Sequence, residues 1–172
     1  MFNTLISTKR GWVGIAFSRK GVCRLNLPVA DREQALSLLC AGKEKGITES
    51  GDMEGLAQQV REYFKGGRRD FDCRMDLSGA TLFQRRVWKA AREIPYGEVR
   101  SYKWVAQRAG SPLACRAVGN ALASNPLPLI IPCHRVVCSD GKPGGFGGKA
   151  RDVASKLMLL DLEAAQGTRP MR

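Results

Sequence analysis

The sequence of 172 residues contains a single histidine, His134, and no two cysteines separated by two residues. Local zinc motifs built from histidines and CxxC pairs are therefore excluded, leaving only coordination by cysteines distant in sequence. No apolar run approaches the roughly 18 residues needed to cross a bilayer. Lys9 and Arg10 interrupt a mildly apolar start and no small-residue cleavage site follows, so neither a membrane span nor a signal peptide is expected. Acidic residues are scarce in the second half: residues 81–172 hold 6 Asp/Glu against 15 Lys/Arg, whereas residues 1–80 hold 10 against 13. Most of the +12 net charge thus sits in the second half, which points to a polyanionic partner there. A generally solubilising surface is the alternative.

What is present suffices for a folded core, since 44% of the residues are hydrophobic. The length fits one domain or two small ones. Cys23, Cys40, Cys73, Cys115, Cys133 and Cys138 are scattered, which reads as free thiols in a reducing cytoplasm and not as a disulfide framework.

Three short apolar runs in residues 3–28 are separated by Lys-Arg-Gly and Arg-Lys-Gly, predicting strands joined by tight turns. After a polar stretch at 41–51, residues 53–66 place Leu56, Val60, Tyr63 and Phe64 on one helical face ending at Gly66-Gly67. Residues 68–77 read as a further strand and a connector. From Thr81 the pattern is helical. Phe83, Val87, Trp88 and Ala91 share a face and the helix stops before Pro95; Ser101 caps a second helix that closes on Gly110. Ser111 as N-cap with Pro112 at the first helical position predicts a third, running to Asn125, where Pro126 and Pro128 end it. The last two helices outline a helix-turn-helix.

On that third helix Ala114, Ala117, Val118, Ala121 and Leu122 share an inward side, while Arg116, Gly119, Asn120 and Ala123 face outward. One long cation among very small side chains suits close approach to a nucleic-acid backbone, and minor-groove insertion better than base reading in the major groove. An Ala-rich packing helix with Arg116 in an ordinary ion pair is the alternative.

The stretch "LIIPCHRVV", Leu129–Val137, sets Cys133 beside the only histidine. A free thiol is mostly protonated at neutral pH, and an adjacent base raises its thiolate fraction. Neighbouring residues of a regular strand point apart, so a Cys133–His134 contact needs a bend or a bridging water; Pro132 favours the bend. A histidine base also needs an acid partner. Glu93, Glu98, Asp140, Asp152, Asp161 and Glu163 are the candidates. A buried structural cysteine and a cysteine hydrolase are the competing readings.

"IPCHRVV" with "RAVGNAL", "NPLPLI" and "FQRRVWKAAREIPYGEVRSY" closely resembles the methylated-DNA–protein-cysteine methyltransferases, or O6-alkylguanine-DNA alkyltransferases, over about Thr81–Glu163. The resemblance implies an α+β fold: an RNase H-like α/β module over 1–78, then a mostly helical DNA-binding domain over 79–172 containing the helix-turn-helix. Cys133 would take the alkyl group from O6 of a flipped guanine, or from O4 of thymine, and keep it in a single turnover. His134 would activate the thiol through water, Glu163 would orient His134, and Asn125 would brace the turn. Arg116 would enter the vacated stack, while Tyr102 would press on the 3′ phosphate and donate toward the base. Ala114, Gly119, Val136, Ser139, Phe146 and Gly147 join the DNA- or substrate-binding surface, with the loop Gly144–Gly148 lining the base pocket. Phe146 stands where some relatives have tyrosine, and Gly147 where others have serine. The zinc site of some relatives uses histidines that have no counterpart before His134. The partner implied is double-stranded DNA carrying O6-alkylguanine, with no metal, cofactor or membrane, and the protein is expected to be a cytoplasmic monomer. A lesion binder without catalysis and a helix-turn-helix regulator are the other readings; Cys133 argues against the first and the sparse outward strip against the second.

Overall fold

The pairs Lys9-Arg10 and Arg19-Lys20 fall between the first apolar runs, and each reverses the chain into a hairpin. In the computed structural model, which describes residues 2–39, 51–146 and 152–165, strands β1 (Phe2–Thr8), β2 (Gly11–Ser18) and β3 (Gly21–Leu25) form one antiparallel sheet in that order. Gly21 adopts φ 140°, and a Cβ there would lie 2.2 Å from the Arg74 carbonyl oxygen, so only glycine fits the second turn. The central β2 is buried continuously from Val13 to Phe17. Helix α1 (Arg32–Leu39) packs on β2 and α2 (Gly51–Lys65) on β1. The anticipated face of α2 is inside: Leu56, Val60, Tyr63 and Phe64 are all buried. Burying each such side chain stabilises by about 1.5–3 kcal/mol.

Two readings of this half need correction. Residues 68–77 form no strand; they touch the sheet through one parallel bridge, Val22 to Met75. The reason is a competing partner for the backbone. The Gln59 side chain accepts from the Asp72 N–H at 2.8 Å and donates to the Asp72 carbonyl at 3.0 Å, replacing ladder hydrogen bonds. Helix α1, by contrast, was not anticipated. Its signal is Asp31, whose carboxylate accepts from the Gln34 N–H at 2.7 Å as an N-cap.

The chain divides into two compact units, Met1–Ser78 and Gly79–Arg172. In the second, α3 (Leu82–Arg92) starts with a capping box: the Thr81 hydroxyl accepts from the Gln84 N–H at 3.2 Å, and the Gln84 side chain accepts from the Thr81 N–H at 2.9 Å. Strand β4 (Arg100–Ser101) leads into α4 (Tyr102–Arg108), where the Ser101 hydroxyl accepts from the Trp104 N–H as anticipated. Helix α5 (Cys115–Ala123) packs against both α3 and α4. It is shorter at both ends than its sequence pattern indicated. Ser111 does not cap it; the Ser111 carbonyl accepts from the Ala114 N–H in a separate turn, and Ala114 stands at the N-cap with no side-chain bond. Val118, Ala121 and Leu122 are buried as expected, but Ala117 is exposed, because the buried stripe is narrower than the apolar composition suggests. A 3-10 turn (Cys133–Arg135) follows, then β5 (Val136–Val137), paired in parallel with β4, and α6 (Val153–Ala164). The second unit is thus mostly helical around a two-stranded sheet, and the protein as a whole mixes helix with small sheets.

Candidate active site

The chain reaches the site through a strained loop. Pro126 and Pro128 end the helical region, and Leu129, buried, takes φ 74°, a left-handed conformation that costs a leucine about 1–2 kcal/mol. Pro132, at φ −79° and ψ 64°, is the centre of an inverse γ-turn in which the Cys133 N–H donates to the Ile131 carbonyl at 2.8 Å. The bend anticipated between proline and histidine is therefore present, and the 3-10 turn separates the two side chains onto different neighbours.

Cys133 is 6% exposed and its sulfur accepts from Asn125 Nδ2 at 3.1 Å. The same amide nitrogen donates to the Ile131 carbonyl at 2.8 Å, and Asn125 Oδ1 accepts from the Leu127 N–H at 2.9 Å. Asn125 thus fastens both sides of the loop and touches the thiol. Burial pushes the Cys133 thiol up; the Asn125 hydrogen bond and the Lys156 ammonium oppose that rise.

His134 is fully buried, and its Nε2 lies 2.8 Å from Glu163 Oε1. Nδ1 is buried with no hydrogen-bond partner among the described residues. Of the six acids considered, the fold selects Glu163. Glu93 and Glu98 pair with Arg108 and Arg100, Asp140 with Lys142, Asp152 caps α6, and Asp161 is exposed. Glu163 is also held by Arg135, through Nε to Oε2 and Nη2 to Oε1, both at 2.9 Å, and by the Gly97 N–H at 3.0 Å. Arg135 Nη1 donates to the Ile94 carbonyl at 2.8 Å. Burial opposes ionisation of Glu163, but the His134 and Arg135 contacts outweigh it and hold the carboxyl at about 2. Burial pushes the His134 imidazole down, against the Glu163 carboxylate, which favours its cation. A neutral imidazole beside a fixed carboxylate is a base ready to accept one proton at Nδ1.

Arg135 and Lys156 were missed in the sequence. Lys156 is fully buried; Nζ donates to the Val136 carbonyl at 2.5 Å and to the Pro143 carbonyl, and lies 5.8 Å from the Tyr102 ring centroid. Burial lowers its pKa to about 8, opposed by Cys133 and Cys138. Its one sequence signal is position: Lys156, Leu159 and Glu163 follow a helical period, so one face of α6 presents both ions to the site.

Tyr102 begins α4, and its hydroxyl donates to the Gly145 carbonyl at 3.3 Å. Burial raises its pKa, with Cys138 and Cys133 adding to the rise. A Cβ at Gly119 would lie 3.9 Å from Tyr102 Cε1, so α5 and Tyr102 meet at this glycine. Arg116 is exposed, and among the described residues no carboxylate pairs with it. Phe146 is buried, Ser139 is exposed, and the Val136 carbonyl is occupied by Lys156. Gly147 lies outside the described residues, as do Gly148 and Cys40. Cys133 with Asn125 and His134 with Glu163 therefore form two separate hydrogen-bonded pairs that start from adjacent residues of the 3-10 turn, and Tyr102 bonds Gly145 and faces Lys156. Arg116 and Ser139 remain at the surface. Among the described residues no group of three or more His, Cys, Asp or Glu side chains is arranged to hold a metal ion.

Fold and site define a protein with a buried free cysteine, beside a histidine–glutamate pair, in a mostly helical second unit. Residues 82–165 match the family described as 6-O-methylguanine DNA methyltransferase, DNA binding domain. The methylated-DNA–protein-cysteine methyltransferase of Mycobacterium tuberculosis is 46% identical over 118 residues, 69% of each chain. The constitutive enzyme of that name from Bacillus subtilis is 38% identical over 148 residues, 80% of this chain and 88% of that one. The crystal structure of Mycobacterium tuberculosis OGT in complex with DNA superposes with a TM-score of 0.80 at 35% identity, covering 96% of this chain and 94% of that one. The chain belongs to the methylated-DNA–protein-cysteine methyltransferase family.

Proposed function

We propose that this protein repairs duplex DNA by moving the alkyl group of O6-alkylguanine, or of O4-alkylthymine, onto Cys133. The observation that carries this reading is the buried thiol joined by Asn125 to a strained loop, one residue from a His134–Glu163 pair in which His134 Nδ1 has no partner among the described residues. Its support from relatives is their name and a DNA complex at 35% identity. The helices α4 and α5 act as a helix-turn-helix, the first unit as an RNase H-like module, and residues 1–78 and 79–172 as separate domains. The free thiols among the described residues, at Cys23, Cys73, Cys115, Cys133 and Cys138, suit a reducing cytoplasm, where the protein works as a monomer.

An alkyl carbon inside a stacked base pair is out of reach, so the nucleotide must leave the helix at a cost of a few kcal/mol. Arg116, exposed at the start of α5, fills the vacated space, and the small residues Ala114 and Gly119 let the backbone approach. Tyr102 presses on the 3′ phosphate. His134 Nδ1 takes the Cys133 proton through a bridging water, and the Glu163 carboxylate stabilises the imidazolium. The thiolate sulfur forms a bond to the alkyl carbon as the carbon–oxygen bond breaks. The electron pair goes to guanine, which regains a proton with Tyr102 as donor. Phe146, Ser139 and Val136 contribute to the base and DNA surface. The thioether does not hydrolyse, so each molecule acts once.

The test is mass spectrometry after incubation with duplex DNA containing O6-methylguanine. One added methyl on Cys133 is expected; an intact lesion and unmodified Cys133 would overturn the assignment.

A further inference from the structure

Leu113 is 98% exposed, the most exposed large hydrophobic side chain among the described residues; Leu82, at 80%, comes next. Single exposed leucines are ordinary on a protein surface. This one, however, stands on a rigid mount at the start of α5. The Ser111 carbonyl accepts from the Ala114 N–H at 2.9 Å, closing a turn with Pro112 and Leu113 at its centre. Proline fixes φ at the first central position, which suits hydrogen-bonded turns of types I and II. Type II needs a positive φ at the second. Among the described residues Leu129 is the only non-glycine residue with positive φ, so the turn is of type I.

A type I turn winds in the same right-handed sense as an α-helix, so this one extends α5 backwards by nearly a turn. At about 100° per residue, Leu113 then falls on the arc of Arg116, Ala117 and Asn120, all exposed, and away from Val118 and Leu122, which are buried. Positions three apart on such a surface have Cβ atoms about 5–6 Å apart. The outer strip of α5 therefore carries two neighbouring projections, a cation and a branched apolar chain, among alanine, glycine and asparagine. A phosphate gives a leucine no favourable contact. A base step does: proteins that open the minor groove insert leucine and similar side chains between stacked bases.

We propose that Leu113 is an apolar wedge that enters the minor groove beside Arg116 and prises open the base step next to the one the flipped nucleotide leaves. This rests on the duplex-repair reading given above. Arg116 fills the vacancy while Leu113 unstacks its neighbour, so a charged and an apolar contact together offset the energy of extrusion. The apolar contact releases no counterions and does not weaken as salt rises.

The test compares Leu113→Ala with Leu113→Met. The first should slow alkyl transfer from duplex DNA containing O6-methylguanine by about tenfold or more. The second, whose side chain can still be inserted, should restore most of the rate. Transfer from free O6-benzylguanine and the urea midpoint should be unaltered in both, because so exposed a side chain holds nothing in the fold. The salt slope of duplex binding should also keep its value, whereas losing one phosphate contact would lower it by about 0.9. In a Cys133→Ala background, which leaves the lesion in place, 2-aminopurine beside O6-methylguanine should brighten on binding as its stack opens. It should brighten again with Leu113→Met and stay dim with Leu113→Ala. Unslowed duplex transfer in Leu113→Ala, equal slowing with free O6-benzylguanine, a lowered salt slope or undiminished brightening overturns the proposal. So does intact duplex repair with a changed sedimentation coefficient, which would assign Leu113 to contact with a second copy. Failure of the repair reading is told apart by the unaltered protein, as bare Cys133 after incubation with methylated duplex.

Discussion

Changing Glu163 to Gln removes the charge on which two buried side chains and the Gly97 N–H converge. The carboxylate is 1% exposed and holds His134, both forks of Arg135 and the Gly97 N–H. Its folded pKa of about 2 lies below the ordinary 4.5. At 1.36 kcal/mol per pKa unit, this difference contributes about 3 kcal/mol at neutral pH. A depressed carboxyl pKa stabilises fully above the unfolded value and progressively less as pH falls toward the folded one. Leaving Arg135 as a buried charge without its partner gives a similar figure, about 3–5 kcal/mol. Glu163→Gln should therefore unfold the second unit at lower urea concentration by about 3 kcal/mol at pH 7, with the gap closing between pH 4.5 and about 2. Urea titrations followed by Trp88 and Trp104 fluorescence report on this unit. A gap below about 1 kcal/mol at pH 7, or one that does not change with pH, would refute the reasoning.

Lys156→Met keeps an apolar stem but removes the ammonium that favours the Cys133 thiolate, so the pH profile of iodoacetamide labelling at Cys133 should move upward; an unmoved profile would deny Lys156 that influence. Arg116→Ala should slow alkyl transfer from duplex DNA by tenfold or more, about 1.4 kcal/mol, yet leave transfer from free O6-benzylguanine unchanged; equal slowing in both assays would remove its role in extrusion. Thr81→Ala breaks the capping box of α3 and should lower stability by about 1 kcal/mol without changing the rate of transfer. Asn125→Ala strips the loop of bonds to Ile131, Leu127 and Cys133; slower labelling of the thiol and lower stability are expected together, and a change in neither would contradict the bracing role.

The parts of the fold legible in sequence are those set by local chemistry. Lys-Arg-Gly and Arg-Lys-Gly mark both hairpin turns because glycine alone fits the conformation that follows, and the apolar face of α2 follows from its period. The start of α5 was misread because Ser111 and Pro112 have the right types for a helix start, yet Ser111 spends its carbonyl on a turn to Ala114. Residues 68–77 alternate like a strand, but a glutamine side chain from α2 takes both backbone groups of Asp72, and only Arg74 and Asp76 reach the sheet, at Val22. The site divides along the same line. The Cys133–His134 motif is contiguous and can be read directly, while the choice of Glu163 among six acids depends on α6 returning to the 3-10 turn. Lys156 shows in sequence only as a register partner of Glu163 on α6, and Arg135 not at all, because a buried cation is recognised by the carbonyls and carboxylate that surround it.

The central claim is stoichiometric transfer to one sulfur, and counting it is the most direct test. Methylated duplex in excess should lose one O6-methyl group per protein molecule and then no more, with every methyl recovered as S-methylcysteine at position 133. Continued loss beyond one equivalent, or methyl groups recovered elsewhere while Cys133 stays free, would contradict the account.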